Sequence, residues 1–186
     1  MATPLFVLAS KSPRRSEILK NAGFDFVIRT ADADETIKEG TNPEDAVVML
    51  AARKAMAVER AKDEVVLGAD TIVVLDDKIL GKPKDREDAF NMLRSLSGRV
   101  HSVFTGVCAI SDKGSMTFAE ETKVEFYPLT DEEINSYIDS NDCYDKAGAY
   151  GIQGLASKFI RGIKGDYFNV VGLPISSVYK KILKNQ

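Results

Sequence analysis

The residues best suited to chemistry are four basic side chains, Arg14, Arg15, Lys54 and Lys82, and four acidic ones, Asp32, Asp34, Glu35 and Asp70. Carboxylates suit a magnesium ion that retains water and takes up substrate phosphates. Cations suit a polyphosphate tail. Metal-assisted attack of water on a phosphoryl group needs both kinds, one to activate the nucleophile and the other to offset charge in the transition state. Asp70 is the sharpest candidate because it breaks into the apolar run VVLGADTIVVL, where an unpaired carboxylate is costly. It suits a general base or a metal ligand, and alternatively a buried aspartate that accepts from nearby backbone N–H groups. Lys82, between Gly81 and Pro83, fits a loop that aims an ammonium at a ligand or simply an exposed turn. Asp32 and Asp34 read as solvated loop residues, and Glu35 is left open between the two readings.

Arg14 and Arg15 belong to LASKSPRRSEIL, which joins a short apolar strand to a helix start. Ser12 is placed to cap that helix and Pro13 suits its first turn. A helix N-terminus presents unpaired N–H groups and the positive end of a dipole, so two guanidinium groups beside it point to an anion such as phosphate. The same segment also fits a capped surface helix with solvated arginines. Other signatures are absent from the sequence: no GxxxxGK[ST], GxGxxG or GxSxG, and no clustered His/Cys metal motif. His101 is the only histidine, which excludes mechanisms needing a His pair and favours a hydrogen-bonded structural role.

Composition sets the frame for these residues. The 186 residues fit one domain spanning 1–186, or two closely joined lobes, and the 44% hydrophobic and 28% charged content is that of a folded globular chain. A net charge of −3 argues against a general nucleic-acid binder, so any phosphate site is local. No apolar run reaches the roughly 20 residues of a membrane span, and MATPLFVLAS runs into strand pattern without a leader-like region, which predicts a cytoplasmic protein. Cys108 and Cys143 lack zinc-ligand spacing and read as reduced structural thiols.

The elements that must position the chemistry follow from caps and periodicity. FDFVIR reads as a second strand; Asn42 and Pro43 open a long helix carried to about Ala61, on which Val47, Leu50, Ala51 and Lys54 share one face. A lysine on that apolar face must snorkel out or meet an anion. VVLGADTIVVL is a strand run interrupted at Gly68, Asp70 and Thr71, turned by Asp76 and Asp77 into KILGKP. Asp85 opens a helix to about Leu96, VHSVFTGVCAI pairs with SMTFAEETKVEF, and Thr130 with Glu133 forms a capping box for a helix to about Ser140. DKAGAYGIQG reads as a loop, followed by a turn at Ile163 to Asp166, a short strand and a closing helix after Pro174. Alternating strands and helices with a central hairpin predict an α/β fold with a mixed twisted sheet flanked by helices.

Together, ASKSPRRSEIL, LGADTIVVLDDKILGKP, LSGRVHSVFTGV and DKAGAYGIQG closely resemble the Maf family of nucleoside triphosphate pyrophosphatases, over about Leu5 to Ile175. The resemblance implies a fold like that of the inosine-triphosphate pyrophosphatase superfamily, with two lobes around a nucleotide cleft, homodimers, and a divalent cation, magnesium or manganese. It implies cleavage between the α and β phosphates to give monophosphate and pyrophosphate. By position, Ser10, Arg14, Arg15, Lys54 and Lys82 match the family's phosphate-facing residues. Glu35 and Asp70 match its acidic, metal-holding centre, with Asp70 as proton acceptor. Arg14, Thr71 and Gln153 match its specificity positions, and SPRR, DT and GIQG together resemble the branch acting on dTTP and UTP. The Gln153 amide can donate to and accept from the imide edge of uracil or thymine, or bridge backbone groups in its own loop.

The expectation is therefore a metal-dependent pyrophosphatase for dTTP and UTP, with modified pyrimidine nucleotides as further candidate substrates and no nucleic-acid or membrane partner. Its alternatives are the same chemistry on CTP or a methylated nucleotide, and a nucleotide-binding regulator of cell division or septum formation.

Overall fold

A computed structural model describes residues 5–185. The expected run of residues 1–4 into the first strand lies outside the described residues. Seven strands form one mixed sheet: β1 (Leu5–Leu8), β2 (Phe26–Ile28), β3 (Glu64–Leu75), β4 (Lys78–Leu80), β5 (Val100–Ser111), β6 (Gly114–Phe126) and β7 (Ile160–Lys164). Their order is β2-β1-β3-β5-β6-β7, with β4 paired to β3 beside that path. The helices are α1 (Pro13–Asn21), α2 (Pro43–Met56), α3 (Arg86–Leu96), α4 (Asp131–Asp139), α5 (Tyr167–Val171) and α6 (Ile175–Lys181). The predicted α/β class with a mixed sheet and flanking helices is the one observed.

Strands joined through α1 and α2 run parallel, as crossover connections require: Val7 lies opposite Val27 of β2 and Val66 of β3. β4 returns antiparallel along β3 through Asp76 and Asp77, both in the left-handed region at φ 50° and 62°, which a two-residue hairpin turn of this kind needs. The apolar run interrupted at Gly68, Asp70 and Thr71 is one strand, and β3 is continuous through all three. The break is one of composition, because ladder hydrogen bonds use backbone and are indifferent to a polar side chain.

The chain forms two compact units. The first comprises residues up to Asp70, Thr105–Glu120 and those from Gly172 onward. Its core gathers Val7, Ala9, Ala51, Ala55, Val58, Val66 and Cys108. α2 comes down on the strands closely enough that a Cβ on Gly68 would meet the Ala51 carbonyl oxygen at 2.3 Å, and one on Gly106 the Val47 carbonyl oxygen at 2.2 Å. Side chains two apart on a strand share a face, so the glycine that admits α2 also turns Asp70 towards that helix. α2 stops at Met56 and not near Ala61, because the following residues are drawn into a network around buried Glu64. There Ala61 N–H and the Arg29 guanidinium donate to the Glu64 carboxylate at 2.8 to 2.9 Å.

The second unit comprises Thr71–Phe104 and Glu121–Val171. Its core includes Val73, Leu93, Leu96, Val124, Phe126, Ile134, Ile138, Cys143 and Phe159. α3 is capped by Asp85, which accepts from Asp88 N–H, and α4 by the reciprocal Thr130–Glu133 box, both as read from sequence. Two expectations near the end fail. The turn placed from Ile163 is still strand, since Ile163 pairs with Val124 and Lys164 with Lys123, and the chain turns at Gly165. The short strand expected next is helix α5: Asp166 accepts from Phe168 N–H at 2.8 Å, and fully buried Asn169 donates to the Val103 carbonyl and the Thr122 hydroxyl, each at 3.0 Å. Tertiary hydrogen bonds outweigh the β-propensity of the flanking valines.

Gly68→Ala should lower stability by about 1–3 kcal/mol, since the added methyl meets helix backbone that cannot move alone. Urea denaturation read by circular dichroism checks it.

Candidate active site

In the first unit, Lys54 projects from the last turn of α2 with its side chain 19% exposed, and its ammonium meets two carboxylates. Glu35 Oε1 lies 2.7 Å from Nζ, and Asp70 Oδ1 is also hydrogen-bonded to it. The choice between snorkelling and an anion partner is thus resolved: the anions are the chain's own. Asp70, 14% exposed, is held at the face of β3 that α2 covers, whereas Glu35 is 58% exposed on the loop before α2. The loop has its own order, with Asp34 Oδ1 accepting from Thr36 N–H at 2.9 Å. Hydrogen bonding from the Thr36 side chain, and then from its N–H, pulls the Asp34 carboxyl below its usual range, and Arg53 adds to the effect. Asp32 pairs at the surface with Lys11 and is fully exposed, in line with a solvated role.

Arg15 is buried in the first turn of α1. Its Nε donates to the Gly172 carbonyl at 2.7 Å and its terminal nitrogen to Ser10 Oγ at 3.1 Å. Burial pushes the guanidinium pKa down and the nearby Asp70 charge opposes that shift; Arg14 lowers it further and Glu35 raises it. The solvated-arginine reading therefore fails for Arg15, while Arg14 is half-buried beside it. The expected Ser12 cap is also corrected. Among the described residues the Ser12 side chain makes no capping bond, and Ser10 Oγ instead accepts from Ser12 N–H at 3.2 Å. Sited two residues earlier, Ser10 serves the backbone and Arg15 at once.

Thr71, Lys82 and Gln153 belong to the second unit. Thr71 follows Asp70 on β3 and is half-buried; alternation along the strand turns it to the opposite face. Lys82 is exposed in the loop between β4 and α3, beside buried Pro83. Gln153 is exposed in extended backbone just before a 3-10 segment, Gly154–Phe159. Gly148 N–H donates to the Gly81 carbonyl at 3.0 Å, which ties the Lys82 loop to the segment that carries Gln153. The DKAGAYGIQG loop is accordingly ordered, with a 3-10 turn at Ala147–Ala149. The structure thus brings Ser10, Arg15, Glu35, Lys54 and Asp70 together in one unit, and Lys82 and Gln153 onto linked loops in the other.

Glu35 and Asp70 face one point, the Lys54 ammonium, which already shows that this point favours a cation. Two carboxylates fit a divalent ion that draws its remaining ligands from water and phosphate. They do not form a full protein cage, and among the described residues no group of three or more His, Cys, Asp or Glu could hold a metal. Sequence reasoning missed the Gly172 carbonyl, 157 residues from Arg15, and it missed Arg53. Arg53 donates to the carbonyls of Asp34 and Thr36 at 3.1 and 2.8 Å. Its position one residue before Lys54 was the available signal.

A mixed α/β chain with a cation-seeking pair of carboxylates beside a buried arginine defines the class. The family model described as Maf-like protein matches residues 5–185. The chain belongs to that family. It is 52% identical over 177 residues to a dTTP/UTP pyrophosphatase of Geobacillus sp. (strain WCH70), covering 95% of each chain. It is 52% identical over 184 residues to a protein of the same name from Thermoanaerobacter sp. (strain X514), covering 97% of this chain and 95% of that one. A partial structural likeness, TM-score 0.47 at 15% identity over 65% of this chain and 71% of the other, is to the Ham1 protein of Staphylococcus aureus. Among the described residues no helix is long and apolar enough to cross a membrane.

His101 has the structural role expected of it. Its Nε2 lies 2.6 Å from the Tyr150 hydroxyl, and its ring packs edge-on against Phe126 and Tyr150, which fixes the start of the segment leading to Gln153. The charged ring would carry a proton on buried Nδ1, which has no partner among the described residues, and burial holds the pKa down at about 4, against 6.5 when free. The unfolded chain therefore takes up a proton that the folded chain refuses, so stability falls as pH drops from 6.5 towards 4 and levels off below. Urea melts at about pH 7 and about pH 5 should differ by roughly 2 kcal/mol from this residue, and His101→Gln should remove that part of the difference.

Proposed function

We propose that this chain hydrolyses dTTP and UTP to the nucleoside monophosphate and pyrophosphate. The observation that carries the reading is the convergence of Glu35 and Asp70 on Lys54 at the face of β3, in a chain about half identical, over nearly its whole length, to relatives that bear that activity in their names. Asp70 accepts the proton of the attacking water, its carboxylate held in place by β3 and the Lys54 ammonium. Lys54, charged and already fixed among carboxylates, is the nearest cation to a phosphate arriving beside Asp70. Arg14, Arg15 and Lys82 supply further positive charge to the polyphosphate, and Ser10 holds the Arg15 fork in register. Glu35 and Asp70 would hold a divalent cation, magnesium or manganese, which polarises a phosphoryl oxygen when bound. Thr71 and Gln153 read the base, the Gln153 amide matching the donor and acceptor pattern of the pyrimidine imide edge.

The test is product analysis across a panel of nucleoside triphosphates with magnesium present. Pyrophosphate released preferentially from dTTP and UTP is the expected result; orthophosphate, or preference for a purine, overturns the reading. Asp70→Asn should lower turnover by roughly 10²- to 10⁴-fold without unfolding the chain. Gln153→Ala should raise KM for dTTP and UTP about tenfold, the worth of one or two hydrogen bonds.

A further inference from the structure

We propose that Arg53 is a positioning residue for Glu35. Glu35 stands between two residues whose backbone carbonyls, those of Asp34 and Thr36, both accept from one terminal nitrogen of Arg53, at 3.1 and 2.8 Å. The same nitrogen lies 3.4 Å from Asp34 Oδ2. Arg53 thus grips the loop backbone on either side of Glu35 and pairs with the one side chain, Asp34, that closes the turn by accepting from Thr36 N–H. The next residue along α2, Lys54, receives the Glu35 carboxylate itself. One helix turn therefore holds both the loop and its functional group.

The need for such a clamp follows from the loop. Glu35 is more than half exposed on a segment without helix or strand, whereas Asp70 rides on a buried strand. A carboxylate on free loop backbone would sample many positions, and the ordering cost would fall on substrate binding or on the reaction. A guanidinium suits the task because it stays charged and can offer several donors from one rigid plane.

The inference rests on the catalytic reading of Glu35 for its functional consequence, but not for its structural one. In Arg53→Gln, hydrogen exchange of the amides of residues 34–37 should speed up about tenfold or more while the melting temperature stays near that of the parent. Turnover of dTTP should fall roughly 10- to 100-fold, the usual effect of removing a group that orients a functional side chain, with Arg53→Lys recovering part of it. Combined with Glu35→Gln, Arg53→Gln should add no further loss, because its effect passes through that carboxylate. Unchanged exchange at residues 34–37, or losses that multiply in the double variant, overturns the proposal. Full activity in Glu35→Gln alone would sink the catalytic reading of Glu35 instead, and accelerated exchange would still uphold the clamp.

Discussion

The ammonium of Lys54 is the constraint around which the first unit is arranged. It sits at the end of a helix whose preceding face is buried, and a charge there survives only with partners close by. Asp70 and Glu35 provide them, and the location at the C-terminal end of α2 adds the favourable pole of the helix dipole. The arrangement works in both directions, because Asp70 on its apolar strand needs a cation as much as Lys54 needs anions. Neither could meet the other if α2 rode at ordinary distance from the strands. Gly68 and Gly106 remove two side chains beneath the helix backbone and let it settle directly on β3 and β5.

The second unit holds its candidate residues differently. Lys82 and Gln153 are exposed, and the backbone that carries them is anchored nearby. The Gly81–Gly148 hydrogen bond, buried Pro83 and the His101–Tyr150 contact each fix loop backbone while leaving a polar tip in solvent. Gly148, at φ 67° with Val73 packed against it, has no room for a side chain at that junction. Exposed tips on fixed stems suit ligand contact, since little backbone freedom is lost on binding.

Legibility in the sequence followed the range of the interactions. Caps act within a few residues, so Asn42, Asp85 and the Thr130–Glu133 box could be read directly, and so could the Asp76–Asp77 hairpin. The placement of Lys54 on an apolar face showed that its charge needed an answer, but periodicity carries no information about which anion gives it. Contacts over long separations were invisible. The Glu64 network that ends α2 early joins Arg29 to a residue 35 positions away, and the buried amide of Asn169, which makes α5 a helix, reaches back 66 positions. Ser12 misled because a cap bond depends on side-chain geometry: Ser12 stands at the cap position, its hydroxyl makes no capping bond, and its own N–H donates to Ser10 Oγ.

The Arg15 guanidinium is completed by the carbonyl of Gly172, 157 residues further along the chain. During synthesis, α1 would emerge long before this acceptor, 157 residues further on, carrying a cation that cannot be buried at low cost until Gly172 arrives. A ribosome-bound nascent chain would therefore keep this corner solvated, and the Arg15 guanidinium would be locked into place only once the segment around Gly172 has emerged.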